Sequence, residues 1–391
     1  MELQRVPSIA KYLSVVFLFA WIGRSTVWNF LPIFFENHMS VFWVGVATSL
    51  PPLVTLMFDI PVGNLVQHAG EKVVIFLGLL VAIFPPLLYY VAVPATLVFG
   101  KAVEGVAKLF LWNGGWSLSL KSSSDEVESE TVSVFLLGKN LAMILGPIVG
   151  GFLIAANGFG LTFGLWVFTS LVALLVYFTY VGVEREDSLS YSLEEVVNRN
   201  TYVEEFSDLK AHWSSLKLPF SLIFLYSIIF SFYWMAVPLL LEKVSGDFQV
   251  MGLVFGAAAL PKAFQFLLGD LADRVGKQKT LVALSLVLTP VLVLMNFLSQ
   301  VLFIGIFFFV ARSISSGMSP AIHAIFDSAC PNELEGEFVG FNQFFKHSGM
   351  ALGPIMAGTI ASLYGINASF LAAGFISFLI FLLTGYSLYE S

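Results

Sequence analysis

The sequence predicts an all-α membrane protein of twelve transmembrane helices arranged as two six-helix repeats. Three observations predict it. Apolar residues of the Ala, Val, Ile, Leu, Met, Phe, Trp, Tyr and Cys set fill 58% of 391 positions, and charged residues only 12%. Soluble domains carry roughly 25% charged residues. Apolar runs of spanning length, about 20 residues, occur twelve times. Residue patterns of the first half return in the second at a nearly constant offset. So little polar surface cannot coat a water-soluble globule, which excludes soluble enzymes, nucleic-acid binders and disordered chains. The net charge is −7, and Cys330 is the one cysteine. It forms no internal disulfide, and no cysteine cluster is available to a metal.

The spans are expected near 10–35, 43–66, 73–93, 95–120, 132–156 and 160–183, then 218–241, 249–271, 280–298, 300–326, 338–363 and 367–388. The first apolar run, reaching Phe35, is too long for a signal-peptide core and reads as a retained span. The polar stretch Glu184 to Lys217 holds eight acids and four Lys or Arg residues. It divides the chain into an N-terminal bundle, 1–183, a linker, 184–217, and a C-terminal bundle, 218–391. Loop charges set the orientation, because Lys and Arg stay on the cytoplasmic side. Arg5, Lys11, Lys72, Lys121, Arg185, Arg199, Lys210, Lys217, Arg274, Lys277 and Lys279 fall on one side, and Lys243 on the other. Both termini and the linker are therefore expected in the cytoplasm.

The repeat is legible residue by residue. Ser25, Trp28, Pro32 and Glu36 return 206 positions later as Ser231, Trp234, Pro238 and Glu242. Gly63 and Gly70 return as Gly269 and Gly276. Lys139, Gly146, Pro147 and Gly151 return 207 positions later as Lys346, Gly353, Pro354 and Gly358, with Ala357 in the place of Gly150. Three separate sites at one offset indicate duplication.

The run Gly269-Asp270-Leu271-Ala272-Asp273-Arg274-Val275-Gly276-Lys277, between spans 8 and 9, resembles the cytoplasmic-loop signature of the major facilitator superfamily. The first-half copy, Gly63 to Lys72, keeps the glycines but has Gln67 where Asp is usual. Gly146-Pro147-Ile148-Val149-Gly150-Gly151 resembles the family's antiporter motif in span 5. Lys101-x-x-Glu104-Gly105 in span 4 resembles a motif linked there to proton coupling, with Lys for Arg and Glu for Gln. The resemblance covers nearly the whole chain outside the linker. It implies alternating access, with two like-oriented repeats rocking about a central site. It also implies a gating role for Gly63, Gly70, Gly269, Asp273, Arg274 and Gly276. Gly146, Pro147, Gly150, Gly151, Gly353, Pro354 and Gly358 then act in close helix packing.

Charges inside spans are expensive and mark function. Spans 3, 6, 9 and 12 carry none, as expected of lipid-facing helices. The others carry seven bases, Arg24, Lys101, Lys108, Lys139, Lys262, Arg312 and Lys346, against two acids, Asp59 and Glu104. Lys101, Glu104 and Lys108 share one helix face, and the flanking ammonium groups keep Glu104 ionised. One carboxylate cannot neutralise both lysines. Another acid or a bound anion must complete the balance. Arg24, Lys108 and Arg312 are therefore the expected substrate-binding cations, with Lys262 and Lys101 beside them. Trp28 and Trp234 are the expected stacking surfaces. Glu104 and Asp59 are the expected proton carriers, ahead of His323, Asp327 and His347. Lys139 and Lys346 are expected to snorkel, and His323 to pair with Asp327 one turn away.

The sequence thus predicts a secondary transporter of a small organic anion or zwitterion in the cytoplasmic membrane. Antiport against protons or another solute is expected, by a monomer whose only other partner is the bilayer. A proton-coupled multidrug exporter is the alternative within the class. A non-transporting receptor on the same scaffold is the remote one. The metalloprotease, serine-hydrolase and phosphate-loop patterns are absent, so no enzyme is expected, and nothing calls for a cofactor or a metal.

Overall fold

In a computed structural model, residues 5–182, 199–265, 274–331 and 335–390 are described. Among them every regular element is a helix. Helices α1 (Ser8–Trp28) and α2 (Leu31–Glu36) form the first span, broken at Asn29 and Phe30 ahead of Pro32. The second span is α3 (Val41–Ala69). The third is again two pieces, α4 (Glu71–Val81) and α5 (Phe84–Tyr90), with Pro85 and Pro86 opening the second piece. There α5 starts anew, because a proline lacks the N–H that would continue α4. Single helices α6 (Pro94–Lys121), α7 (Glu128–Asn157) and α8 (Phe159–Tyr180) complete the first six.

The second six are α9 (Arg199–Val244), α10 (Phe248–Ala259), α11 (Lys277–Met295), α12 (Val301–Ala329), α13 (Glu335–Tyr364) and α14 (Ala368–Glu390). Helix α10 runs into a tighter 3-10 turn at Leu260–Phe264 that contains Pro261. Helix α9 begins inside the expected linker, so 199–217 is continuous with span 7. Eight of these spans are long and apolar enough to cross a bilayer on composition alone. The other four, spans 1, 4, 8 and 11, are broken, charged or rich in small residues.

The chain forms two compact units. The first comprises Met1–His38, Met57–Asn198 and Phe248–Gly256, and the second Met39–Leu56, Arg199–Asp247 and Ala257–Ser391. In the first unit α1 packs mainly against α7 and α8. Its core holds Leu13, Phe17, Trp21, Leu111, Phe135 and Tyr177. Phe17 stacks on Trp21 at 4.8 Å and meets Phe135 edge-on at 4.7 Å. In the second unit α9 packs against α13 and α12, and α11 against α14.

Lipid tails are as apolar as leucine, so helices associate by close packing of small residues. A Cβ at Gly146 would strike Ser25, and one at Gly353 would strike Ser231. These are repeat-related contacts, one in each unit. Gly150 similarly lies against the Thr26 carbonyl, and Gly138 against that of Ser14. A Cβ at Gly151 would lie 3.0 Å from Gly252 Cα, and one at Gly358 would lie 3.1 Å from Gly45 Cα. Pro147 O faces Gly252, and Pro354 O faces Gly45.

The outward rows are apolar. Leu161, Phe168, Leu171, Leu175 and Phe178 lie exposed along one stripe of α8, and Leu371, Phe375, Phe378 and Leu382 along α14. Both belong to spans that carry no internal charge, and in water such stripes would drive aggregation.

Candidate functional site

Each unit contains a basic cluster, and the two are built differently. In the first unit, α6 presents Lys101 and Glu104 three residues apart, and both are buried. Lys101 Nζ donates to Glu104 Oε2 at 3.0 Å. From α1, Arg24 donates through Nε to Glu104 Oε1 at 2.8 Å, and its Nη2 lies 2.6 Å from the same oxygen. From α5, the Tyr89 hydroxyl donates to Glu104 Oε2 at 2.8 Å. Both carboxylate oxygens are thus occupied by donors, two of them cationic. Rings close the site: the Arg24 guanidinium lies 4.8 Å from the Trp28 ring, and Lys101 Nζ 5.8 Å from that of Phe35. Lys108, one turn beyond Glu104, is half-buried. It lines a cavity of about 20 Å³ with Arg24, Glu104, Trp21, Pro85 and Trp166. That is room for about one water.

Arg24 is therefore held by Glu104 in this conformation. Tyr89 is the partner the sequence did not single out. It sits on a span expected to be neutral and lipid-facing, where a tyrosine reads as packing. Its place between Pro86 and the end of α5 carried no signal of its own.

In the second unit, Arg312 on α12 is 4% exposed. Its guanidinium carbon lies 4.9 Å from the Phe230 ring and 5.2 Å from the Trp234 ring, both on α9. Cations are attracted to such ring faces. Its Nε donates a long hydrogen bond to Ala258 O, at 3.5 Å. Among the described residues no carboxylate lies within ion-pairing distance of it. Ser315 fixes α12 on α9. Its carbonyl accepts from the Tyr226 hydroxyl at 3.0 Å, and its Oγ lies 3.1 Å from the Tyr233 hydroxyl. Lys262 stands exposed on the 3-10 turn that packs on α12, and its charge interacts with those of Arg312 and Lys346.

The remaining predicted residues fall elsewhere. Asp59 accepts from Asn113 Nδ2 at 3.0 Å. Lys139 is half-buried, with Nζ 4.1 Å from the Trp112 ring centroid; Trp112 in turn stacks on Trp116 at 5.5 Å. Lys346 is half-buried and donates to Gln343 Oε1 at 3.2 Å. His323 Nδ1 lies 3.4 Å from Asn342 Nδ2, and His323 also interacts electrostatically with the exposed Asp327 one turn away. The loop motif is described in part. Gly70 and Gly276 both take positive φ, +84° and +101°, at the starts of α4 and α11. Only glycine adopts that conformation without strain, and the repeat preserves it. Gly63 has open space around its missing Cβ, and Arg274 is exposed. Gly269 and Asp273 lie outside the described residues. No group of His, Cys, Asp and Glu fit for a metal occurs among the described residues.

The family described as Major Facilitator Superfamily matches twice, over residues 13–221 and 219–391. The multidrug resistance protein MdtG of Rahnella sp. (strain Y9602) is 24% identical over 373 residues, 90% of this chain and 88% of that one. The multi-drug resistance efflux pump PmrA of Streptococcus pneumoniae serotype 4 (strain ATCC BAA-334 / TIGR4) is 24% identical over 376 residues, 90% and 91% of the two chains. Among solved structures, the human organic anion transporter MFSD10 (TETRAN) superposes with a TM-score of 0.67 at 16% identity, covering 97% of this chain and 99% of that one. A bacterial homolog of the human lysosomal transporter Spinster, inward-facing and unoccupied, gives 0.76 at 12% identity, over 98% and 97%.

Proposed function

The chain belongs to the Major Facilitator Superfamily, and from that premise we propose that it moves a small organic anion or zwitterion across the cell membrane by alternating access. It is a multi-pass membrane transporter and not an enzyme. The observation that carries the anion reading is Arg312. A guanidinium that deeply buried is expected to be paired or hydrogen-bonded, yet its surroundings offer rings, one long hydrogen bond and further cations. A carboxylate or phosphate on the solute supplies the missing partner and takes two parallel N–H bonds from it. The organic anion transporter among the structural neighbours agrees in class.

On this reading 1–183 and 218–391 act as the two rocking bundles about the linker, both termini are cytoplasmic, and the monomer is the working unit. Arg24 is a conditional ligand, released when Glu104 is protonated. Glu104 and Asp59 are the proposed proton carriers. Exchange is the direction, as the Gly146–Gly151 motif implies. A second reading, proton-coupled multidrug export, is favoured by the names of the curated relatives and by the aromatic faces of Trp28, Phe230 and Trp234.

Counterflow in proteoliposomes tests the choice, with labelled aromatic carboxylates and lipophilic cations side by side. Anion counterflow in the wild type, weakened tenfold or more in Arg312→Gln, is the expected result, since a hydrogen-bonded charge contributes roughly 1.5–3 kcal/mol. Counterflow of cations alone, indifferent to Arg312→Gln, moves the assignment to multidrug export.

A further inference from the structure

We infer that the first unit binds a small inorganic anion, of the size of chloride, in the cavity between Arg24 and Trp166. The site is separate from Arg312 and takes a different ligand, so it stands or falls apart from the organic-anion reading. Its walls are mostly apolar. Five of the side chains that line it carry a polar atom: Trp21, Arg24, Glu104, Lys108 and Trp166. Trp166 is 1% exposed, and its Nε1 meets no hydrogen-bond acceptor among the described residues. Buried donors are nearly always bonded, so this N–H calls for an acceptor.

Glu104 is not that acceptor. An ionised carboxylate offers about four acceptor positions. Here Oε1 takes Arg24 Nε and Nη2, and Oε2 takes the Tyr89 hydroxyl and Lys101 Nζ. The other four polar side chains of the lining can only donate. A water must dispose of two protons, and no side chain lining the cavity is left to accept them. A halide accepts from every direction. The charges lead the same way. Arg24 and Lys101 lie 2.6 and 3.0 Å from Glu104, and among the described residues neither has a second carboxylate. Two cations against one carboxylate leave one positive charge in a buried place, which is costly unless it is compensated. Lys108 has a further interaction, and the balance does not need it. Size fixes the class of anion. A cavity of about 20 Å³ takes one water-sized guest; a halide is close to that size, and an organic carboxylate is not. The lining comes from α1, α6, α8 and the joint between α4 and α5, so one bound ion links four spans of the unit. The second unit has no copy of the site. The repeat puts alanine, Ala372 or Ala373, in the place of Trp166.

The experiment melts the full-length, detergent-purified chain in sodium gluconate, with chloride or bromide replacing gluconate at constant ionic strength. Both halides are expected to raise the melting temperature saturably, by mass action on the folded state. Trp166→Phe keeps an aromatic ring and removes the N–H. It is expected to shift the halide response to at least tenfold higher concentration, and its melting temperature in gluconate shows that it is folded. Arg312→Gln keeps the response. Bromide also scatters anomalously, so a crystal grown in bromide is expected to show an anomalous peak in the cavity, within hydrogen-bond reach of Trp166 Nε1. Should Trp166→Phe fail to fold, that crystal decides alone. Equal melting in chloride and gluconate overturns the site. So does a halide response unchanged in Trp166→Phe, which places the ion elsewhere, and so does cavity density without anomalous signal, which is a water. None of these results bears on transport through Arg312, which is read with organic solutes.

Discussion

At the residue scale the decisive feature is the sharing of one carboxylate. Glu104 accepts from Arg24, Lys101 and Tyr89, which come from three helices. Removing one partner of a buried pair leaves an uncompensated charge, a loss of about 3–5 kcal/mol. Glu104→Leu strands two cations and is expected to lower the melting temperature of the purified protein sharply. Tyr89→Phe removes one neutral donor and is expected to lose only about 1 kcal/mol. Adding Lys101→Met to Glu104→Leu should restore part of the loss. If the double variant melts lower than Glu104→Leu alone, the lysine is not held there by the carboxylate. The spacing of Lys101 and Glu104 on one face was legible in the sequence. The pairing with Arg24, 80 residues away, was not, because hydropathy places a residue in depth but does not say how each helix is rotated. For the same reason Arg24 and Arg312 looked alike in the sequence, as single bases within apolar spans. Only the structure separates the paired one from the one set between two rings.

At the element scale the glycines govern how near the helices come. Gly138 and Gly150 on α7 meet backbone carbonyls of Ser14 and Thr26 on α1, where an added Cβ has no flexible neighbour to push aside. Gly138→Val and Gly150→Val are therefore expected to force α1 off α7 and to abolish a monodisperse peak on size exclusion. Gly164→Ala on α8 meets nothing within 4 Å and is expected to be neutral or slightly stabilising, since Ala is the better helix former by about 1 kcal/mol. Should the valine variants purify as well as Gly164→Ala, the α1–α7 contact does not hold the first unit together. The repeat made this packing readable in advance. Gly146 on Ser25 and Gly353 on Ser231 are one contact written twice, and the offset already paired those four residues. The interruptions were less readable. Pro32, Pro85 and Pro261 were visible, but a proline within a span can bend a helix or restart it, and neighbouring packing decides which. Here spans 1 and 3 restart, whereas α7, α11, α12 and α13 run through Pro147, Pro290, Pro320 and Pro354.

At the scale of the whole molecule, charge decides which way the chain faces. Two kinds of charge asymmetry are superimposed. Loop cations collect on one side of the membrane, and span cations collect around Arg24 and Arg312. The first is expected to set topology through insertion, and the second is the basis of the proposed anion site. The net charge of −7 does not oppose the proposed anion site, because most acids lie in loops and linker, with Asp59 and Glu104 the acids within spans. The topology prediction is open to direct measurement, because the one native cysteine, Cys330, is easily removed. In a Cys330→Ala background, Ser245→Cys lies on the exposed connection between α9 and α10, and Ser124→Cys on the exposed connection between α6 and α7. With eleven loop cations on the Ser124 side and Lys243 alone on the Ser245 side, a membrane-impermeant maleimide added to intact cells should label Ser245→Cys only. Permeabilised cells should label both. Labelling of Ser124→Cys in intact cells would reverse the orientation. It would then place the gating-motif glycines Gly70 and Gly276 on the outer side of the membrane, against the expected cytoplasmic loops.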